Sequence, residues 1–216
     1  NYKNLCFEII KDIKNLKLKD KKIKEEFRIN NIDEYDFAKK VMSQIVFLYF
    51  LQKRGLLGIK KDKNNAYKQW GTGSKNFIRE LFDQKHKKYN NFYNDILEPL
   101  FFEGLARERD EDNFAFLDCK IPFLNGGLFE RYYNWSETYL ILSNDIIKKI
   151  FDTFDRFNFT VVEEDPVDKE VAIDPEILGK VFESLIDIKE RKKQGIFYTP
   201  REIVNFMCKE TLSNFI

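Results

Sequence analysis

Apolar residues recur at intervals of three and four along most of the chain, which predicts a mainly α fold, a multi-helix domain with a few short β-strands. Phe37, Ala38, Val41, Met42, Ile45, Leu48 and Tyr49 mark the first strong helix. From Ile45 to Leu51 the run is apolar all round, the pattern of a central helix buried on every side. Gly55 supplies a stop, and Gly58 with the Lys- and Asn-rich run Lys60 to Lys68 reads as an exposed loop. Phe77, Ile78, Leu81 and Phe82 predict another helix, and Phe92, Tyr93, Ile96, Leu97, Leu100 and Phe101 the next. Pro99 lies inside that last pattern and predicts a kink or an early end. Asn125-Gly126-Gly127 is a tight turn whose glycines permit positive φ. Ile146, Ile147, Ile150, Phe151 and Phe154 give one more helix, and the alternation at Phe157, Phe159 and Val161 suits a short strand.

The last fifty residues hold two helix starts. Asp174-Pro175 is an N-cap followed by proline at the first helical position, ahead of a stripe at Ile177, Leu178, Val181, Phe182, Leu185 and Ile186. Asp187 to Lys193 reads as a charged linker. Thr199 and Glu202 then form a capping box, and Ile203, Val204, Met207, Cys208, Thr211, Leu212 and Phe215 form the buried stripe expected of a terminal helix. Three segments follow from this reading. Residues 1–34 are a Lys-rich N-terminal helical segment, 35–190 a helical domain, and 191–216 a linker with the first helix of a further, truncated domain. The chain opens at Asn1 without a methionine and stops at Ile216 within an apolar pattern, which reads as an excised piece of a longer protein.

Charge changes the picture through its distribution. The 216 residues carry 37 Lys+Arg and 36 Asp+Glu, a net charge of +1, which excludes a polybasic coat for nucleic acid. Between Leu51 and Asn90, however, 11 basic residues face 3 acidic ones, and between Asn91 and Asp174 the balance is 8 against 19. Two readings of the basic stretch stand side by side. It is a solvated face attracted to the acidic half, or Lys53, Arg54, Lys60, Lys61 and Lys63, with Lys85, Lys87 and Lys88, form a phosphate-facing edge where Tyr67 and Trp70 stack on bases. Cys6, Cys119 and Cys208 are odd in number and scattered, and with His86 the single histidine no zinc-binding spacing can be written. A reducing, cytoplasmic setting is expected. The longest apolar run falls far short of the roughly 20 residues that cross a bilayer, so no membrane partner is expected.

Four blocks carry a family resemblance. Gly195-Ile196-Phe197-Tyr198-Thr199-Pro200-Arg201-Glu202-Ile203-Val204 resembles the motif that opens the catalytic domain of adenine-specific N6 DNA methyltransferases, just upstream of their glycine-rich cofactor loop. Asp174-Pro175-Glu176-Ile177-Leu178-Gly179-Lys180-Val181-Phe182-Glu183 looks like the segment preceding that motif in fused type IIG restriction-modification enzymes. Phe47-Leu48-Tyr49-Phe50-Leu51-Gln52-Lys53-Arg54-Gly55 and Leu124-Asn125-Gly126-Gly127-Leu128-Phe129-Glu130 are similar to two blocks of the helical region between nuclease and methyltransferase. The blocks stand in the family's order from about Tyr35 onward. The resemblance implies a parent protein that transfers a methyl group from S-adenosylmethionine to adenine N6 in double-stranded DNA, with Mg²⁺ needed only where the parent carries a nuclease. It also implies that Phe197, Tyr198, Thr199 and Pro200 wall the cofactor.

Physical chemistry offers two readings of that last motif. A helix N-terminus presents unpaired N–H groups and a positive dipole end, which favours an anionic group such as the cofactor's carboxylate. Equally, Thr199, Pro200 and Glu202 are what any capped helix wants, and Phe197 and Tyr198 suit a core. The family's catalytic Asn/Asp-Pro-Pro-aromatic tetrapeptide cannot occur, because Pro99, Pro122, Pro166, Pro175 and Pro200 are never adjacent. Gly71-Thr72-Gly73 follows Trp70 in a loop and lacks the third glycine of a cofactor loop. The chain alone is therefore expected to be inactive, with no catalytic residue assigned. Asp112 with Asp118-Cys119-Lys120 is the best acidic candidate for a metal, Glu190-Arg191-Lys192 a poorer one, and neither is assigned. His86 reads as a surface histidine between lysines with no acidic orienter in reach. The alternative to a DNA-facing connector is a helical scaffold or protein-interaction module without a nucleic-acid role.

Overall fold

Asp33 begins the helix on which the fold is built. Its carboxylate accepts the N–H groups of Tyr35 and Asp36, satisfying donors that the first turn cannot pair internally. Helix α3 (Glu34–Lys53) then runs for 20 residues and buries eleven of them. It ends at Gly55, whose φ of 67° lets its N–H reach the Gln52 carbonyl while Leu56 N–H reaches Leu51, the paired bonds of a Schellman stop. A Cβ at Gly55 would stand 2.3 Å from the Gly71 carbonyl oxygen, and the Gly55 carbonyl accepts the N–H groups of Gly71 and Gly73. Gly71-Thr72-Gly73 thus packs against the end of α3, which explains why glycines are needed there.

The structure is a computed structural model that describes residues 2–124, 126–159, 172–173, 199 and 201–213. The chain divides into two compact units, Asn1–Phe159 and Thr160–Ile216. In the first, α1 (Tyr2–Lys19) and α2 (Lys21–Ile29) precede α3. Helix α1 buries Leu5, Cys6, Ile9, Ile10 and Ile13 and packs on α3, on α2 and on α5 (Asn144–Phe154), so residues 1–34 belong to the same compact unit as the helices that follow. Helix α4 (Phe77–Phe82) packs against α3; its own cap residue, Asn76, makes no side-chain bond, and the buried Gln52 of α3 accepts the Ile78 N–H at 2.9 Å instead. Arg79 of α4 reaches Asp152 and Asp155 at 2.9 and 2.8 Å, and Asp155 also accepts the Tyr49 hydroxyl at 2.7 Å. That network joins α3 and α4 to the end of α5. The fold is mainly α, and its strands are two residues long: β1 (Asn113–Phe114) pairs antiparallel with β2 (Cys119–Lys120), Phe114 opposite Cys119.

Three expectations are corrected. Pro99 does not end its helix: two π-helical turns, Tyr93–Leu97 and Leu100–Leu105, flank it, with Pro99 itself at helical φ −58° and ψ −40°. The wider turns bond five residues back, as in Glu98 N–H to Tyr93 O and Ala106 N–H to Phe101 O, and a residue without an N–H is accommodated between them. Helix α3 is not buried on every side, because Phe47 is 39% exposed, its ring resting edge-on against Phe129. The stripe of the helix Arg201–Ser213 is not buried either. Ile203, Val204, Met207, Cys208, Thr211 and Leu212 are all exposed. Asn158–Phe159 forms a strand, β3, at the expected place, whereas Val161, the Asp174-Pro175 helix start and Phe215 lie outside the described residues.

Candidate nucleic-acid interface

The basic edge is built on the stop of α3. Lys53 and Arg54 are exposed at its last turn, where cations complement the negative end of the helix dipole. The chain then crosses to the β1–β2 hairpin through a backbone bridge between Ile59 and Lys120, and turns back between Lys61 and Tyr67. Asp62 closes that turn by accepting the N–H groups of Asn64 and Ala66. Lys61 and Lys63 are exposed on it. Lys60 is differently used: its ammonium donates to the carbonyls of Leu117 and Asp118 at 3.2 and 2.9 Å, tying down the hairpin tip, where Asp118 adopts a positive φ. Lys120 lies over the Trp70 ring at 4.3 Å, Lys61 over Tyr67 at 5.0 Å and Lys87 over Phe116 at 4.1 Å. Tyr67 also hydrogen-bonds to Asn113. Of the residues expected to contact phosphate, Lys53, Arg54, Lys61 and Lys63 share this loop region with exposed side chains, and Lys60 is drawn into the hairpin.

The two blocks of family resemblance in this unit touch. Gln44 of α3 donates to the Leu128 carbonyl at 2.9 Å, Lys40 to the Glu130 carbonyl at 3.3 Å, and Phe129 is buried between the rings of Phe47 and Phe101. Burial lowers the Lys40 ammonium pKa, and the ring of Tyr132 lies 4.0 Å from that nitrogen. Asn125, the first residue of the expected turn, lies outside the described residues.

Two residues the sequence does not mark stand in unusual surroundings. Glu98 is wholly buried and accepts a hydrogen bond from Tyr133, whose hydroxyl lies 3.2 Å from that of Tyr93. Burial pushes the Glu98 carboxyl up to about 9, so it is neutral at pH 7. Its Oε2 is buried without a hydrogen-bond partner among the described residues. An acidic residue three after Asp95 inside an apolar stripe was the available signal. Arg109 was equally unmarked. Its guanidinium donates to the carbonyls of Glu103, Gly104, Arg107, Asn113 and Ile121, closing the end of the π-helical segment onto the hairpin. His86 is corrected: Glu80 stands 2.9 Å from its Nε2. Burial alone would raise the Glu80 carboxyl, yet the Ser74 hydroxyl at 2.6 Å and His86 hold it below the usual range. Because Ser74 bonds the carboxylate and not the imidazole, the trio lacks the order of a nucleophile, base and orienter.

Thr199 is exposed just ahead of the helix Arg201–Ser213, while Phe197, Tyr198 and Pro200 lie outside the described residues, as do Glu190, Arg191 and Lys192. Asp112 accepts the Phe123 N–H, and among the described residues no cluster of three His, Cys, Asp or Glu side chains could hold a metal ion. Cys6 and Cys119 are buried thiols raised to about 12 by burial, and Cys208 is exposed. No helix among the described residues is long and apolar enough to cross a membrane.

With this geometry in place, the chain can be set beside known proteins. It is similar to a candidate type II restriction enzyme and methyltransferase of Methanocaldococcus jannaschii, 29% identical over 233 aligned positions that cover 95% of this chain. The chain spans 18% of that relative's length. No family model and no solved structure matches it.

Proposed function

We propose that the chain is the helical, DNA-facing connector of a restriction-modification protein. The similarity to the archaeal restriction enzyme and methyltransferase over 95% of the chain carries this reading, and it is supported by the contact between the two resemblance blocks, Phe47 on Phe129. In this reading the parent belongs to the type IIG class and moves a methyl group from S-adenosylmethionine to adenine N6. The connector adds no group to that chemistry; it holds duplex DNA by its phosphates through Lys53, Arg54, Lys61 and Lys63, with Lys60 bracing the hairpin beside them. Phe197, Tyr198, Thr199 and Pro200 would form one wall of the cofactor site, with the exposed Thr199 ahead of a helix start, where an anionic group is favoured. The rest of that site would come from chain downstream, so S-adenosylmethionine should bind measurably only to a protein extended through a glycine-rich loop.

The helical-scaffold alternative is favoured by one observation: Lys60, Lys87 and Lys120 are engaged by carbonyls or rings of the same unit. Salt dependence separates the two. Binding to random-sequence duplex that weakens steeply between 50 and about 200 mM salt supports the connector, since phosphate contacts release counterions. Absence of binding at low salt leaves the scaffold.

A further inference from the structure

Helices α1 and α2 meet at a corner whose charge is not compensated. Lys11, Lys14, Lys17, Lys19, Lys21, Lys22 and Lys24 fall within one short stretch that holds two acids, Asp12 and Asp20. Both acids serve backbone N–H groups. Asp12 accepts from Ser143 at 2.8 Å, securing the start of α5, and Asp20 caps α2 by accepting from Lys22 at 2.8 Å. The neighbouring carboxylates are also engaged: Glu8 by Lys149, Glu25 by Arg28, Glu26 by Asn30 and the Asn134 N–H, Asp33 by the first turn of α3, Glu34 by Lys17 and Asp36 by Lys39. Every acid of α1, of α2 and of the start of α3 therefore has a partner, whereas Lys11, Lys14, Lys19, Lys21, Lys22 and Lys24 are exposed and make no ion pair among the described residues, Lys14 acting on the Glu34 carboxylate only through its field.

Lys19 stands in the last turn of α1, where a cation suits the helix dipole, but helix stability does not explain Lys21, Lys22 and Lys24. Lys21, Lys22 and Lys24 crowd the beginning of α2, which has no acid in its first turn, so they oppose the positive end of its dipole. A cluster that works against local stability points to a use elsewhere. Six ammonium groups on two helix segments match the closely spaced charges of a nucleic-acid backbone and carry no group that reads a base. A lipid surface fits less well, because an interfacial helix needs a free apolar face, and that of α1 is buried in the unit.

We infer that the α1–α2 corner is a second phosphate-binding surface for duplex DNA, separate from the Lys53–Lys63 edge and indifferent to sequence. The inference rests on the connector reading and extends it. The test uses the full chain, a fluorescent duplex of random sequence and a KCl titration. Replacing Lys21, Lys22 and Lys24 together by Gln should lower affinity at low salt by about tenfold or more, and flatten the slope of log K against log salt by roughly 2 to 3, because each phosphate contact contributes about 0.9. The thermal midpoint should hold or rise, since the dipole is relieved, which separates lost contacts from lost fold. If the wild-type chain binds and the triple variant keeps both affinity and slope, the corner is no contact and the connector reading stands. If the wild-type chain binds no duplex, both fall. Preferential binding of phosphatidylserine vesicles over duplex, lost in the same variant, would assign the corner to a lipid surface and overturn the inference.

Discussion

Helix α3 and the helix Arg201–Ser213 carry apolar residues at the same spacing of three and four, yet α3 buries eleven side chains while every described side chain of the second helix is exposed. The difference lies in their neighbours. Helix α3 is met by α1, α4 and β3, and the aromatic rings around Phe37 alone come from Phe27, Tyr93, Tyr132 and Tyr133. Periodicity therefore identifies a face that can be buried, and tertiary partners decide whether it is.

The strongest challenge to this contrast is Phe37→Ala. The side chain is 1% exposed and ringed by aromatics, so truncation removes its burial and leaves a cavity, a loss of about 3–5 kcal/mol in denaturant unfolding. A loss near 1 kcal/mol would mean that the interior repacks and that α3 is not the hub.

Next in size is a pH effect from the buried carboxyl beneath the same rings, where Tyr133 links Phe37 to Glu98. The folded protein keeps a proton on Glu98 up to about 9, whereas the unfolded chain releases it near 4.5. The folded state thus binds more protons between those values, so this group's contribution is full below pH 4.5 and is lost as pH rises toward 9. The slope is about 1.4 kcal/mol per pH unit. Glu98→Gln, which stays neutral, should be less sensitive to alkali, and urea midpoints at pH 6 and 8.5 should diverge less than in the wild type. Equal divergence in both proteins would show that Glu98 ionises freely, by way of water entering the interior.

These two residues also mark how far the sequence could be read. Phe37 was legible because an apolar residue at the start of a long periodic run has one plausible destination. The glycine stop of α3 and the placement of α4 and α5 were legible for the same local reasons. Glu98 was not, because its burial depends on Tyr133, 35 positions away, and no local pattern encodes that meeting. Lys60 reads as a solvated cation until the hairpin brings the Leu117 and Asp118 carbonyls to it. Pro99 does not bring the early end that was one of its two expected effects, since proline's rule presumes bonding four residues back and the flanking turns bond five back. For the candidate interface, the sequence marked charge density but not which cations had partners. Only distances separate Lys60, engaged by two carbonyls, from the lysines of the α1–α2 corner.

Phe47 tests the boundary between the two environments. It lies on the buried helix but is 39% exposed, with Phe129 on one side. Phe47→Ala should cost about 1–2 kcal/mol, less than a fully buried phenylalanine because part of the ring is already in water. A cost above about 3 kcal/mol would restore the reading of α3 as buried all round.

The smallest effect is expected where the contrast is sharpest. Phe206 is 65% exposed on the helix Arg201–Ser213, and no described residue covers its neighbours Ile203, Met207 and Leu212. Phe206→Ala removes no buried area of consequence and leaves a good helix former in place, so unfolding free energy should change by less than about 0.5 kcal/mol. Phenylalanine and alanine differ in what they offer a partner, however, and the same substitution in a protein extended beyond Ile216 distinguishes two causes of exposure. If the loss in the longer protein rises above about 2 kcal/mol, the apolar face is one that a later segment covers, and the difference between the two helices is a difference in which partner is present. If it stays below about 0.5 kcal/mol there as well, the helix is exposed in its own right, and its periodicity serves something other than a core.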